Sequence, residues 1–334
     1  MDRAIPSSIN ELVMQLSILI PSRNEMFLAK TIENILENLE AETEVIALLD
    51  GQWSDPEIPQ NERVNVIYVP DSIGQRAGTN LAARLAKGKY IMKVDAHCSF
   101  DKGFDKRMIE FFAEHGDNIT AVPIMRNLWA FDWKCHHCGW KKYQGPTPEK
   151  CGACGKGDKL RRKMLWVGKH NPQSWSYCFD AEPHFQYFED WKHRPGIRDK
   201  AKSEGWSETM SLQGSCWMLS KERYLDYMHV REGLGSWGNE GIEMACREWL
   251  SGGRVLVNHR TWYAHMFRTQ GGDFGFPYHQ GGKHVSRTKN RVWEMIKNGK
   301  IPNQKLPVSW LVEKFSPIPG WDETKLKELK EALV

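Results

Sequence analysis

Tyr90-Ile91-Met92-Lys93-Val94-Asp95-Ala96-His97 decides the fold, because a β-rich run carries a carboxylate and an imidazole two positions apart where a strand should end. Strand side chains alternate between faces, so positions 95 and 97 project the same way and can hold one divalent cation between them. An oxygen plus a nitrogen ligand suits manganese better than calcium. Taken alone, Asp-x-His equally describes a loop aspartate beside a core histidine. The surrounding segments decide between the two.

Upstream, Leu16-Ser17-Ile18-Leu19-Ile20 is a short apolar run closed by Pro21, and Ile32, Ile35, Leu36 and Leu39 then recur at helical spacing. Glu44 to Leu49 reads as a second strand ending in Asp50-Gly51, and Val64 to Val69 as a third. Ala77 to Ala86 reads as an alanine-rich helix that stops before Gly88 and the strand entering Asp95. Strands alternating with helices imply an α/β fold with a mostly parallel sheet and right-handed crossovers. In such sheets ligands lie outside the carboxyl ends of the strands, here Pro21 to Glu25, Asp50, and Asp95 to His97.

Downstream, the periodic apolar pattern gives way between Phe131 and Asp158 to Cys, Lys, Gly and Pro, as expected of an insertion. Cys135-His136-His137-Cys138 and Cys151-Gly152-Ala153-Cys154 are two Cys-x-x-Cys knuckles twelve residues apart. That spacing is a strong zinc-ribbon signal, with four thiolates closing a structural shell around Zn2+. A pair of disulfides is the competing reading. The neighbourhood is basic (Lys134, Lys141, Lys142, Lys150, Lys156, Lys159, Arg161, Arg162, Lys163), so nucleic-acid contact and plain scaffolding both stay open. A strand is expected at Ser215 to Leu219, a helix from about Asn239 to Leu250, and a strand from Arg254 to Val257 that leads to Tyr263-Ala264-His265. Gly271-Gly272 and Gly281-Gly282 frame a loop, and the tail from Ile301 holds Pro302, Pro307, Pro317 and Pro319 before a short charged helix. The chain thus divides into a first α/β half (residues 1–130), the insertion (131–158), a second half (159–300) and a tail (301–334).

With 334 residues, 40% of them hydrophobic, the chain can bury one large core or two modest ones. No apolar run approaches the roughly 18 residues of a membrane span, and the N-terminus lacks the order of a signal peptide. The expectation is a soluble, cytoplasmic protein with no membrane partner. A net charge of +4 permits a polyanionic partner without demanding one, and fifteen Trp offer either packing or stacking platforms.

Several segments share one further property. Ile20-Pro21-Ser22-Arg23-Asn24-Glu25, Asp50, Val94-Asp95-Ala96-His97-Cys98, Trp237-Gly238-Asn239-Glu240-Gly241-Ile242-Glu243 and Tyr263-Ala264-His265-Met266-Phe267-Arg268 occur in the order of the motifs of a known family. Across roughly residues 16 to 295 they resemble the GT-A fold glycosyltransferases, broadly family 2 and more specifically the polypeptide N-acetylgalactosaminyltransferases. The resemblance implies a nucleotide-sugar donor of the UDP type, held by a first binding loop with Pro21, Arg23 and Glu25 and with its uridine at Asp50. It implies His265 as third ligand, with Asp95 and His97, to Mn2+ or Mg2+. It also implies Gly214 and Ser215 at the sugar, Arg76 at a phosphate, Arg268 and Tyr278 closing over the diphosphate, and Glu240 and Glu243 as base and orienting carboxylate. Retention and inversion both stay open. The cysteine insertion is foreign to the peptide-modifying enzymes and moves the expected acceptor toward hydroxymethylpyrimidine bases in DNA. Protein Ser/Thr and polysaccharide acceptors remain alternatives, as do a noncatalytic zinc-ribbon nucleic-acid-binding protein and a nucleotidyltransferase.

Overall fold

The computed structural model describes residues 13–267, 277–278 and 283–331. Its first half follows the pattern of strand and helix: β1 (Leu16–Ser22), α1 (Leu28–Asn38), β2 (Thr43–Asp50), β3 (Val64–Val69), α2 (Gln75–Leu85), β4 (Tyr90–Val94), β5 (Cys98–Phe100) and α3 (Phe104–His115). Strands β1, β2 and β4 are buried throughout, as continuous apolar runs covered on both faces must be. Helix α1 turns Leu28, Ile32 and Ile35 inward, and α2 turns Ala82 and Ala83. Gly88 is required before β4, because a Cβ there would lie 2.6 Å from the backbone of Leu16 and Ser17.

The second half comprises β6 (Ile119–Cys135), β7 (Lys141–Tyr143), β8 (Leu160–Ser174), β9 (Tyr177–Phe179), β10 (Phe185–Tyr187), α4 (Glu189–His193), α5 (Pro195–Glu204), β11 (Trp206–Glu208), β12 (Cys216–Ser220), the single turn α6 (Lys221–Arg223), α7 (Glu240–Leu250), β13 (Arg254–His265), α8 (His284–Lys297), α9 (Val308–Phe315) and α10 (Glu323–Glu331). The main sheet runs β11-β13-β6-β12-β4-β1-β2-β3. Its β4, β1, β2 and β3 are parallel, while β12 is antiparallel to both β4 and β6. The result is a mostly parallel curled sheet with helices on both faces.

Two departures from the sequence pattern have physical causes. The change of composition at Phe131 falls inside one strand: β6 pairs with β13 up to Asn127 and then runs on to Cys135, paired with β7 and β8 as a projecting arm. An arm with one exposed face needs apolar residues on the other face only, which hides its strand character. The segment after Ile301 contains α9, whose Val308, Leu311, Val312 and Phe315 are fully buried in the main core. Its flanking prolines mask a short amphipathic helix.

Midway along β13, at the irregularity after Asn258, His259 lies against Trp175 and meets Ser207 Oγ at 2.8 Å. Burial pushes its imidazole down from 6.5 to about 4. The folded state therefore binds fewer protons than the unfolded chain between these values, and stability falls as pH drops through that window, by at most about 1.4 kcal/mol per pH unit. We expect His259→Gln to show a shallower loss of stability than the parent between pH 6.5 and 4 in denaturant titrations.

Candidate active site

The carboxyl ends of β1, β2 and β4 open onto a crevice closed on the other side by β12, α7 and the end of β13. Asp95 follows β4, its N–H donating to the Ser215 carbonyl at 2.9 Å. His97 stands two residues on, and His265, the last residue of β13, arrives through the pairing of His265 with Cys98. Asp95 Oδ2 lies 3.3 Å from His265 Nε2 and 3.9 Å from His97 Nε2, and the three ligand atoms fall within 4.8 Å of one another. One carboxylate oxygen and two imidazole nitrogens converging this closely fit a divalent ion of the manganese or magnesium kind, with positions left for other oxygen ligands.

The surroundings prepare these groups as ligands. Burial alone would raise the Asp95 carboxyl, but the Lys93 ammonium, His265 and His97 outweigh it and hold the group well below the usual carboxylate range. Burial lowers His265, against the pull of Asp95, so its ring stays neutral and able to ligate at neutral pH. Glu25 Oε2 sits 3.0 Å from His97 Nδ1, which leaves Nε2 on the side of Asp95, where a metal could be held. Glu25 lines the crevice, with its carboxylate engaged on His97.

Lys93 shares the strand face of Asp95, a position at which the sequence alone gives no sign of a site residue, since strand lysines ordinarily face solvent. Fully buried, it places Nζ 2.6 Å from Asp95 Oδ1, 2.6 Å from the Gly214 carbonyl and 3.7 Å from Glu240 Oε1. The two carboxylates more than offset desolvation and raise its pKa. Trp217 Nε1 donates to Glu240 Oε1 at 2.9 Å, and Ser215 Oγ meets Tyr263 Oη at 2.8 Å. Glu240, Gly214, Ser215, Trp237 and Gly238 line a cavity of about 310 Å3 that shares Gln75, Asp95 and Trp237 with a second one of about 200 Å3 beside Pro21, Arg23, Glu25 and His97. The approach of α7 to this floor demands glycine at 241, where a Cβ would collide with the Leu212 carbonyl.

Two expected contacts do not reach the crevice. Glu243 is fully buried, with Arg76, Arg247 and the Arg231 N–H on its oxygens, so it holds α7 in place and has no access to an acceptor. Arg76 is spent on Glu243 and the Gly238 carbonyl and does not face a phosphate. At the other end, the buried Asp50 carboxylate accepts from Ile73 N, Ser72 Oγ, Gly74 N and Tyr278 Oη. Arg23 donates to the carbonyls of Asp50 and Pro277, which brings Pro277 and Tyr278 down onto this end. Arg268 and the glycine pairs 271–272 and 281–282 lie outside the described residues.

With this geometry in view, comparison with known proteins is informative. Residues 17–163 match the profile described as Glycosyl transferase family 2. The structure of GalNAc-T7 with UDP, GalNAc and Mn2+ superposes with a TM-score of 0.61 at 16% identity, covering 96% of this chain and 55% of that one. The chain has a GT-A fold, and the part that matches the family 2 profile is its first half. Staphylococcus aureus TarS 1-349 with UDP-GlcNAc gives a TM-score of 0.53 at 13% identity, covering 90% of this domain's chain and 71% of that one. The putative polypeptide N-acetylgalactosaminyltransferase 13 of Drosophila melanogaster is 23% identical over 272 residues, 80% of this chain and 40% of the relative. The human polypeptide N-acetylgalactosaminyltransferase 3 is 23% identical over 246 residues, 72% of this chain and 32% of the relative. The chain thus spans well under half the length of these curated relatives. Among the described residues, no helix is long and apolar enough to cross a membrane.

The cysteine knuckles meet at the tip of the arm. Cys135 Sγ lies 3.7 Å from Cys154 Sγ and Cys138 Sγ 3.5 Å from Cys151 Sγ. A tetrahedral shell with Zn–S bonds of about 2.3 Å has sulfur–sulfur edges of about 3.8 Å, so four thiolates at these separations fit zinc. Desolvation works against ionising Cys151, but the N–H groups of Cys154 and Ala153 and the Cys138 thiol prevail and bring it down to about 6.

Two outcomes are expected of variants in these two clusters. Glu25→Ala leaves the fold intact and weakens Mn2+ binding by about 10–100-fold in calorimetric titration, because the His97 ring loses its orienting partner. Cys151→Ser lowers the zinc content measured by atomic absorption and loosens the arm tip, seen as faster amide exchange between residues 135 and 160, while the sheet keeps its protection.

Proposed function

We propose that the domain is a metal-dependent glycosyltransferase that moves a sugar from a nucleotide donor, of the UDP type, to a hydroxyl group. The observation that carries this reading is the placement of the Asp95, His97 and His265 cluster on one side of a continuous crevice and Glu240 on the other, with Lys93 between them. UDP and Mn2+ in the superposed GalNAc-T7 structure support the choice of donor and ion.

In this reading Asp95, His97 and His265 hold Mn2+ or Mg2+ on the diphosphate side. The ion, when bound, neutralises the departing diphosphate as a Lewis acid. Gly214 and Ser215 receive the sugar, whose ring can approach the backbone because no bulky side chain stands there. Arg23 and Tyr278, with the Asp50 loop, form the base end. The acceptor oxygen bonds to the anomeric carbon as the bond from that carbon to the diphosphate breaks, and the hydroxyl proton passes to Glu240. Lys93 and Trp217 fix the Glu240 carboxylate for that role. Glu243 and Arg76 act as positioning residues beneath α7.

For the acceptor we favour hydroxymethylpyrimidine bases in DNA, a reading supported by the basic cysteine arm. The cytoplasm is the matching compartment, since free thiolates persist there. The test is donor turnover by the purified chain with Mn2+ across UDP-glucose, UDP-galactose and their N-acetyl forms, with and without hydroxymethylated DNA. Release of UDP stimulated by that DNA, with label transferred to it, supports both donor and acceptor. Release without stimulation retains the transferase and removes the DNA acceptor, and no release from any donor overturns the reading. Glu240→Gln is expected to lower transfer by at least about 100-fold while Mn2+ and UDP affinity stay within about twofold, measured by steady-state kinetics and calorimetry.

A further inference from the structure

The arm carries charge that nothing in the crevice uses. Between residues 129 and 169 stand ten Lys or Arg and three Asp or Glu, a local charge of +7 in a chain whose total is +4, so the rest of the molecule is net acidic. The excess is sorted by face. Phe131 and Trp133 turn toward the body, where Phe27 stacks on Phe131 and Arg162 covers both Phe131 and Trp133. On the opposite face Lys141, Tyr143, Arg161 and Lys163 are exposed and Lys134 is half-buried, while Asp132 is buried beneath them. There Lys134 of β6 lies directly across from Lys141 of β7 on one side and from Arg161 of β8 on the other. In the next rung on this face Asp132 stands between Tyr143 and Lys163, and Asp132 accepts from Trp129 Nε1. Farther down, Lys169 covers the Tyr143 ring at 3.9 Å.

Like charges directly opposite one another on a sheet are destabilising. Three cations stand in one rung, none with an ion-pair partner among the described residues, so they repel one another and present a concentrated positive charge. We propose that this open face of the arm, centred on Lys134, Lys141 and Arg161, is a docking surface for the phosphodiester backbone of a nucleic acid. Charge complementarity selects a polyanion, and the exposed rings of Tyr143 and Trp129 beside the cations favour one that carries bases over a bare polyphosphate. The inner face of the same arm packs Trp166 and Phe131 with Met266 and Ala264, neighbours of His265, so a strand lying along the arm is led to the metal side of the crevice. The inference rests on the DNA acceptor reading and adds the surface that holds the polymer outside the reaction site.

The experiment measures binding of a short DNA duplex and of the matching single strand by the full chain, over a range of salt, for the parent and for the triple variant Lys134→Glu, Lys141→Gln, Arg161→Gln. Removing the opposed cations relieves repulsion, so the variant is expected to fold with unchanged zinc content, and UDP-sugar hydrolysis should remain at the parental rate. Its DNA affinity is expected to drop by at least about tenfold near physiological salt, and the slope of log affinity against log salt to fall by about 2–3, the loss of three phosphate contacts. Parental affinity and slope in the variant would overturn the proposal. Tight binding of polyphosphate by the parent without binding of either DNA would overturn the choice of nucleic acid. Loss of DNA binding with no sugar transfer to hydroxymethylated DNA would keep the docking surface and remove the acceptor reading, so the two failures are distinct.

Discussion

A single buried ammonium group organises the candidate site. Lys93 has no access to water, and a charge in that position is costly unless neighbours compensate it. Asp95 and Glu240 supply the opposite charge and the Gly214 carbonyl a further acceptor, so three segments far apart in sequence must meet at one point. These are the end of β4, the loop before β12 and the first turn of α7. The same contact links the metal-binding carboxylate to the candidate base. Any shift of α7 that freed Glu240 would also unsettle Asp95.

Around that point the fold supplies rigid supports at each level. The parallel strands bring their carboxyl ends to one edge, and the close packing at Gly88 and Gly241 sets how near the elements approach. Beneath α7, Glu243 is shared by Arg76 and Arg247, so the helix that carries Glu240 is held by charges that never see solvent. Glu25 does the corresponding service for His97. The arm shares a small apolar cluster with the end of β13, which joins the cysteine knuckles mechanically to the strand that delivers His265.

Much of this was legible in the sequence, and the gaps have physical reasons. The strands through Asp95 are continuous apolar runs, the simplest signal a buried parallel sheet can give, and the cysteine spacing speaks for itself. The convergence of Asp95, His97 and His265 is readable because strand alternation and motif order point to these residues. Lys93 obeys the same alternation but was passed over, since a lysine in a strand is ordinarily at the surface. Glu243 reads as an orienting carboxylate and Arg76 as a phosphate contact because sequence shows that a charged group is near a site without revealing which partner it will find. Only the folded chain shows that they find one another. The arm hid because half of its residues are meant for water.

The measurement that bears most directly on this account is pulsed electron paramagnetic resonance of Mn2+ bound to the protein with UDP. The account predicts couplings from two imidazole nitrogens and from the phosphorus atoms of the diphosphate, with the nitrogen contribution reduced in His265→Ala. A bound ion showing phosphorus couplings but no imidazole nitrogen in the parent would contradict it, because the cluster of Asp95, His97 and His265 would then not hold the metal that the diphosphate needs.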